Sequence, residues 1–323
     1  MKVFRVIKTK ARLLEILQWT LVGLIFFFLG KMVWGDWTRV RDAAFAFKGG
    51  PLVWATVIFA FSYFIQIWAW YLITVKLGIA ISFRETLVSW FTSQLGKYLP
   101  GKVWLLLGRF YFYESKGKSK RAISIALYFE TVIGTVAAGV LFLMAFVLFD
   151  EIRPFYTGRR LGGLILPFAL ALIFLYPPVL QRTLNWVLHR IRREPVSISI
   201  SYPDILWILF ISLAAWMAGG FAFYLFANSL FSIPSKYILL LTGSLAISCF
   251  LGLIALFAPS GLGVREGVLV YLLSAILPSS VAIILSILTR IWTTLIEIGL
   301  IGMVYLLDRF RNRSEQRKRD VQA

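Results

Sequence analysis

The residues best suited to chemistry in this sequence are basic side chains that stand inside long apolar stretches, beside proline and glycine. The first such stretch, 86–108, contains the run QLGKYLPGKVW. A half-helix beginning at Pro100 would present free N–H groups and a positive dipole end, which attract an anion such as phosphate. The alternative is that its lysines only extend to the membrane surface. The interrupting residues are Gln94, Lys97, Pro100, Gly101, Lys102 and Arg109.

A second break of the same kind lies in 237–277, where the chain reads APSGLGVREG. Free backbone groups in mid-membrane are tolerated only against protein or a wet cavity. Because proline, glycine and a basic residue mark both breaks, we expect the two to serve one anion site. A short extracellular turn with a solvated Arg-Glu pair is the alternative. The residues of this break are Pro259, Gly261, Gly263, Arg265 and Glu266.

Three further charges fall deep inside apolar stretches, namely Glu130, Arg290 and Glu297. Each costs at least about 2.5 kcal/mol to insert, so each needs a partner or a function. Arg290 and Glu297 are seven residues apart and share one helical face. We expect Glu130 to pair with Arg290, either as a structural ion pair or as part of substrate handling or gating. Glu130 and Glu297 are also candidates to carry a proton.

Other chemistries find few residues to support them. The chain has one cysteine, Cys249, and one histidine, His189, so it can form neither an intrachain disulfide nor a metal cluster of Cys or His. His189 lies in an Arg-rich loop and is expected to be a solvated surface residue. We therefore predict no catalytic residue, no metal and no cofactor.

The elements that must position these residues are membrane-spanning helices. Of the 323 residues, 59% are hydrophobic and 15% are charged, and the mean hydropathy is +0.81, more apolar than a soluble domain can bury. Many of the apolar runs reach the length of about 20 residues that a bilayer requires. The predicted segments are 13–34, 51–75, 86–108, 122–149, 160–181, 204–231, 237–258, 264–277 and 280–307, with Pro51 and Pro203 opening helices and Pro177 with Pro178 ending one.

The net charge of +19 predicts orientation rather than nucleic-acid binding, because the basic residues cluster at the ends of apolar runs. One alternating set of segments, the N-terminus to residue 12, 76–85, 109–121, 182–203 and the tail from 308, carries 22 Lys and Arg residues. The loops of the other set carry six. The positive-inside rule then predicts a multi-pass protein of the cell (cytoplasmic) membrane with both termini in the cytoplasm.

This orientation requires 86–108 to enter and leave on the cytoplasmic side. The chain then divides into repeat A, about 13–149, and repeat B, about 160–307, of opposite orientation, followed by a basic cytoplasmic tail at 308–323. A weak internal match aligns Ala122 and Glu130 with Ala282 and Arg290. The predicted fold is one all-α, polytopic membrane bundle with an inverted-topology repeat and two re-entrant or broken-helix hairpins.

The stretches KYLPGKVW and APSGLGVREG, with TRIW in the last helix, resemble the flippase-like membrane family that includes the transmembrane region of lysylphosphatidylglycerol synthases. The resemblance covers most of the chain and implies a helical bundle that moves lipids between leaflets. The synthases carry a large aminoacyl-transfer domain after this region, and the short tail here makes lipid synthesis unexpected. The matching positions are Lys97, Pro100, Gly101, Arg109, Pro259, Gly261, Gly263, Glu266 and Arg290.

Three functions compete on these features. The first is a flippase for an anionic phospholipid or a polyprenyl-phosphate-linked sugar in cell-envelope biogenesis, without a nucleotide-binding loop. The second is an intramembrane lipid-modifying transferase, which would need a general base and usually an acidic metal site. The third is a non-catalytic membrane partner of a glycosyltransferase or lipid synthase. Membrane lipids are the expected ligands in the first two cases.

Overall fold

The computed structural model describes most of the chain between residue 48 and residue 322. The predicted first helix, 13–34, and most of the predicted helix 160–181 lie outside the described residues, as do Pro100, Gly101, Lys102 and Pro259. The described residues are 48–98, 103–149, 166, 170, 172–173, 175–190, 195, 197–255, 258 and 261–322.

Nine helices and no strand are found among the described residues. A 3-10 turn, Leu95–Tyr98, continues the second helix, and another, Ser235–Tyr237, precedes the seventh. Five helices, α1, α4, α6, α7 and α9, are long and apolar enough to cross a membrane, so this is a multi-pass membrane protein. The helices are α1 Gly49–Lys76, α2 Phe83–Gln94, α3 Val103–Ser115, α4 Lys120–Leu148, α5 Pro177–Arg190, α6 Tyr202–Leu230, α7 Ile238–Ile254, α8 Val264–Leu273 and α9 Ser279–Gln322.

Helices α1 and α6 form an antiparallel pair that runs the height of the bundle. At one end the Lys48 N–H donates to the Ser229 carbonyl over 2.9 Å, and at the other Lys76 pairs with Asp204 at 2.8 Å. Between these ends Gly219 faces Ser62, where an added Cβ would lie 3.6 Å from the hydroxyl. Small residues at such a crossing let two membrane helices approach closely and pack.

The first break forms an antiparallel pair of short helices, α2 and α3. Ser82 and Glu85 begin α2 with a reciprocal capping box. Near the tip Gly96 is indispensable, because a Cβ there would lie 2.5 Å from the backbone of Trp104 and Leu105. The helices contain 12 and 13 residues, about 18–20 Å at 1.5 Å per residue. Each is shorter than the ~30 Å hydrocarbon core of a membrane.

The second break forms a corresponding pair from α7 and α8. The backbone of Gly261 packs on Gly252, where a Cβ on Gly261 would lie 2.7 Å from the Gly252 carbonyl oxygen. Gly261 and Gly263 have φ angles of 70° and 82°, a left-handed conformation that glycine adopts without strain. The Gly263 N–H donates to the Glu266 carboxylate over 2.6 Å and caps α8, a helix of 10 residues.

One end of the bundle gathers segments that the basic-residue count assigned to a common side. Lys76 pairs with Asp204 there, Arg84 with Asp308 at 2.7 Å, and Lys116 with Glu85 at 2.5 Å. The hydrogen bond from Lys116, followed by that from Ser82, lowers the pKa of the Glu85 carboxyl. We call this the basic end. Both ends of the α2–α3 hairpin therefore lie at it, whereas Phe149 and Tyr237 meet at the other end with ring centroids 6.0 Å apart.

Two expectations about helix ends are wrong. Pro177 and Pro178 begin α5 instead of ending a helix, because proline lacks only an N–H that the first helical turn does not use. Leu180, Leu184 and Leu188 then recur every fourth residue of α5, as on one helical face. The last helix also continues through the charged tail to Gln322, since the tail contains neither proline nor glycine to end it.

The hairpin can be tested by labelling single cysteines after Cys249 is replaced by serine. We expect Ala80→Cys and Ser115→Cys to react with a membrane-impermeant maleimide from the same side, because both flank the hairpin at the basic end. Ala80 is preferred to Ser82, which caps α2. Ser232→Cys, exposed at the opposite end, serves as the control and should react from the other side only. Labelling of Ala80→Cys and Ser115→Cys from opposite sides would contradict the hairpin.

Candidate functional site

The two hairpin tips meet against the middle of α9. Lys97, at the tip of the first hairpin, forms an ion pair with Glu297. Glu266, in the first turn of α8, lies 3.7 Å from the Nε of Arg290. Arg290 comes 11 residues after Ser279, and Glu297 comes 11 residues before Asp308. Each therefore lies about 16 Å along the helix from the corresponding end, so the charges sit near the centre of the bundle.

Arg265 completes this group, which we call the hairpin-tip cluster: Lys97, Arg265, Glu266, Arg290 and Glu297. The charge of Arg265 acts on Lys97 and on both carboxylates. The side chains of Glu266 and Glu297 are 2% and 3% exposed, that of Arg290 is 13% exposed and that of Lys97 is 25% exposed. The cluster contains three cations and two carboxylates, and thus one excess positive charge. It brings together five side chains that the sequence analysis proposed as site residues.

Glu266 joins the architecture of the hairpin to the charge of the cluster. One carboxylate oxygen, Oε2, accepts the Gly263 N–H. The other, Oε1, is buried and accepts no hydrogen bond from any described residue, although it lies within ion-pair distance of Arg290. The Ser286 hydroxyl donates to the backbone carbonyl of Glu266 over 3.2 Å. A buried acceptor left without a hydrogen bond costs about 1–3 kcal/mol, so Oε1 is placed to receive a donor.

Helix α9 carries the cluster on a polar face. Ser286, Thr289 and Thr293 are buried and recur with Arg290 and Glu297 at spacings of three, four and seven residues, which place them on one side of the helix. The threonine hydroxyls donate to carbonyls of their own helix, Thr289 to Leu285 and Thr293 to Arg290. Ile291, Leu295 and Ile298 are exposed on the other side, as lipid contact requires. The sequence analysis missed this hydroxyl stripe, although its spacing was visible.

The remaining predicted site residues lie at the hairpin breaks or outside the description. Gln94 is buried in the last turn of α2, before the 3-10 turn that carries Lys97. Gly261 and Gly263 shape the second tip. The predicted headgroup contacts of Pro100, Gly101, Lys102 and Pro259 fall outside the described residues.

Arg109 and Glu130 form a separate buried pair. Arg109 is 2% exposed, donates to the Glu130 carboxylate and reaches the Ser93 hydroxyl over 3.3 Å. The Trp90 indole N–H donates to the other Glu130 oxygen over 3.2 Å. The guanidinium carbon also lies 4.7 Å from the centroid of the Trp70 ring, within the range of a cation–π contact. Every group of this pair that carries charge is thus neutralised locally.

The expected pairing of Glu130 with Arg290 is therefore wrong. Each charge instead meets a partner on the short helix that precedes its own helix: Arg109 on α3 for Glu130 on α4, and Glu266 on α8 for Arg290 on α9. The two pairs occupy corresponding places with their signs exchanged. They differ in closure, because both Glu130 oxygens accept hydrogen bonds, whereas Oε1 of Glu266 accepts none from the described residues.

We expect Arg109→Gln and Glu130→Gln each to destabilise the protein strongly, because either leaves one buried charge unpaired, a loss of about 3–5 kcal/mol. The double variant should melt above either single variant when thermal unfolding is followed in detergent. Glu130→Gln combined with Arg290→Gln is the matched control, and its effects should add. Additive losses in the Arg109 and Glu130 cycle would mean that the pair does not couple.

Comparisons with known proteins agree with the geometry of the bundle and extend over both hairpins. The family described as the lysylphosphatidylglycerol synthase TM region matches residues 16–302, a stretch that includes the hairpin-tip cluster and the pair of Arg109 with Glu130. Neither the curated proteins nor the solved structures give a match. The family suggests a function related to membrane lipids. The chain belongs to the family of lysylphosphatidylglycerol synthase transmembrane regions.

Proposed function

We propose that this protein is a flippase, which moves lipids with a phosphate-bearing headgroup between the leaflets of the cell membrane. The candidate substrates are anionic phospholipids and polyprenyl-phosphate-linked sugars of cell-envelope biogenesis. The observation that carries the proposal is the hairpin-tip cluster, in which Lys97, Arg265 and Arg290 outnumber two carboxylates near the middle of the bundle. The match to the membrane region of the family, rather than to a catalytic domain, is compatible with a role that is not enzymatic.

Charge at this depth supports a transport site. Ionisable residues in the hydrocarbon region face a bundle interior or a cavity, pair with one another and mark substrate pathways. The pairs in the cluster balance two of its three cations. The third charge is the one that a phosphate would neutralise when it passes, while the acyl or prenyl chains stay in lipid against the apolar outer face of α9.

Opposed hairpins support an inverted repeat with alternating access. Corresponding helices α1 and α6 are antiparallel. Helix α4 packs on α7 of the other repeat, where Gly243 lies against Leu141 and Ala145, and α9 packs on α2 through Arg84 and Lys97. Each repeat thus contributes a long helix to the hairpin of the other. In transporters built this way, rocking of one repeat against the other opens a central site to each side in turn.

We further propose that the hairpins are re-entrant and that both termini are cytoplasmic. The short lengths of α2, α3 and α8 support incomplete crossing. The charge bias supports the orientation, since the segments predicted to be cytoplasmic carry 22 Lys and Arg residues against six in the loops of the other side. A headgroup would then enter from the cytoplasmic leaflet past the α2–α3 hairpin and leave past α7 and α8.

Arg265→Gln is the most direct test, because it removes a cation and no ion pair within 4.0 Å joins Arg265 to a described acid. Leaflet exchange of a fluorescent anionic phospholipid in reconstituted vesicles should fall about tenfold to a hundredfold, as expected from losing one charged hydrogen bond. Thermal melting in detergent should change little. Lys76→Gln is the control, since it removes a cation from an ion pair at the basic end.

Lys97 needs a compensated variant, because Lys97→Gln alone would leave the Glu297 carboxylate buried without its cation. Lys97→Gln combined with Glu297→Gln keeps the net charge and removes the headgroup contact. Exchange should again fall sharply in this double variant. Exchange at the unmodified rate in both the Arg265 and the Lys97 variants would contradict passage through the cluster. A protein that exchanges no lipid but co-purifies with a glycosyltransferase would instead be a membrane partner of that enzyme.

A further inference from the structure

We infer that the hairpin-tip cluster selects a headgroup with a single negative charge, a phosphodiester that also carries hydrogen-bond donors. Phosphomonoesters and pyrophosphates, which carry about two or more charges, are disfavoured. The inference rests on the proposed function and narrows its substrate class. Phosphodiesters with donors occur both in glycerophospholipids and in sugars linked to a polyprenyl chain through one phosphate.

The charge balance of the cluster sets this selectivity. Three cations and two carboxylates leave one positive charge, which a phosphodiester cancels. A doubly charged phosphate would instead leave one negative charge in a place where Glu266 and Glu297 are already 2% and 3% exposed. Residual charge is strongly disfavoured where water is scarce, because solvation no longer offsets it. The two acids thus act as a charge filter beside the three cations.

The carboxylates are held in place, so the balance is a fixed property of the site. Glu266 caps α8 through Gly263, whose N–H it accepts over 2.6 Å, and it faces Arg290. Glu297 is bound by Lys97. Hydrogen bonds and neighbouring cations both favour the charged form of a carboxylate. Neither acid can therefore move aside to admit a second phosphate charge without breaking the tip of its hairpin or releasing Lys97.

The second part of the inference, a donor on the headgroup, follows from Oε1 of Glu266. This buried oxygen accepts no hydrogen bond from the described residues, and an ionised phosphodiester has only acceptors to offer. A donor must come from the group esterified to the phosphate, such as the hydroxyls of glycerol or of a sugar, or an amine. A headgroup that placed its phosphate on Arg265 and Arg290 would bring that group beside Glu266, because Arg265 and Glu266 are adjacent and Arg290 faces Glu266.

The test compares fluorescent lipids of one and two charges in vesicles that contain the reconstituted protein. Phosphatidylglycerol and a polyprenyl-monophosphate sugar carry one charge, whereas phosphatidic acid and a polyprenyl-pyrophosphate sugar carry about two. We expect the singly charged lipid of each anchor to exchange at least tenfold faster than its doubly charged counterpart. The anchor that exchanges faster identifies the source of the headgroup, glycerophospholipid or polyprenyl sugar, and either result fits the inference.

Removing one acid should change the preference in a set direction. Glu266→Gln can still accept the Gly263 N–H through its amide oxygen, but it raises the excess charge of the cluster to two. The ratio of singly to doubly charged exchange should then fall about tenfold. Glu297→Gln provides the same charge change away from the α8 cap, should Glu266→Gln fold poorly. Glu114→Gln removes an acid that pairs with exposed Lys120 and should leave the ratio unchanged.

The failure of the inference and the failure of the proposed function give different results. If the unmodified protein exchanges none of the four lipids, the flippase proposal fails. If exchange depends on Arg265 but singly and doubly charged lipids move equally fast, the flippase proposal stands and the charge filter is wrong. An unchanged ratio in both Glu266→Gln and Glu297→Gln would likewise overturn the filter, because the carboxylates would then play no part in selection.

Discussion

Charged side chains near the middle of a membrane protein persist only when other charges or a polar ligand neutralise them, and this requirement organises the bundle. Lys97 arrives from one hairpin, Arg265 and Glu266 from the other, and Arg290 and Glu297 from α9. No one of the three elements could hold its charges in hydrocarbon without the others. The helix breaks have the same need, because their free backbone groups require protein or water around them. The hairpins therefore meet at α9, where both needs are met together.

The two ion pairs that follow the hairpins show how similar geometry can serve two purposes. Arg109 and Glu130 are enclosed by indole rings and a serine hydroxyl, with both carboxylate oxygens used. Glu266 and Arg290 stand 3.7 Å apart beside further charges of the cluster. A pair with all its hydrogen bonds made is rigid, whereas one with an acceptor still open can exchange partners. We therefore assign the first pair to holding the α2–α3 hairpin on α4 and the second to the transport site.

Much of this arrangement could be predicted from the sequence, and what could not depends on packing between distant segments. Continuous apolar length located α1, α4 and α6 within about two residues of their ends. Glycine and proline located both breaks, and Gly261 and Gly263 do adopt positive φ. The partner of Glu130 was missed because sequence position aligned it with Arg290, while the choice of Arg109 depends on how α3 lies against α4. The pairing of Lys97 with Glu297, 200 positions apart, had no local signal.

The central claim is that the hairpin-tip cluster holds a lipid phosphate, and native mass spectrometry of the gently purified protein tests it most directly. The account predicts that the unmodified chain retains one phosphate-bearing lipid, identified by fragmentation, and that a variant with Arg265→Gln, Lys97→Gln and Glu297→Gln retains none. The pair of Arg109 with Glu130 is intact in that variant, so its fold should persist. Retention of the same lipid at the same occupancy by the variant would contradict the account.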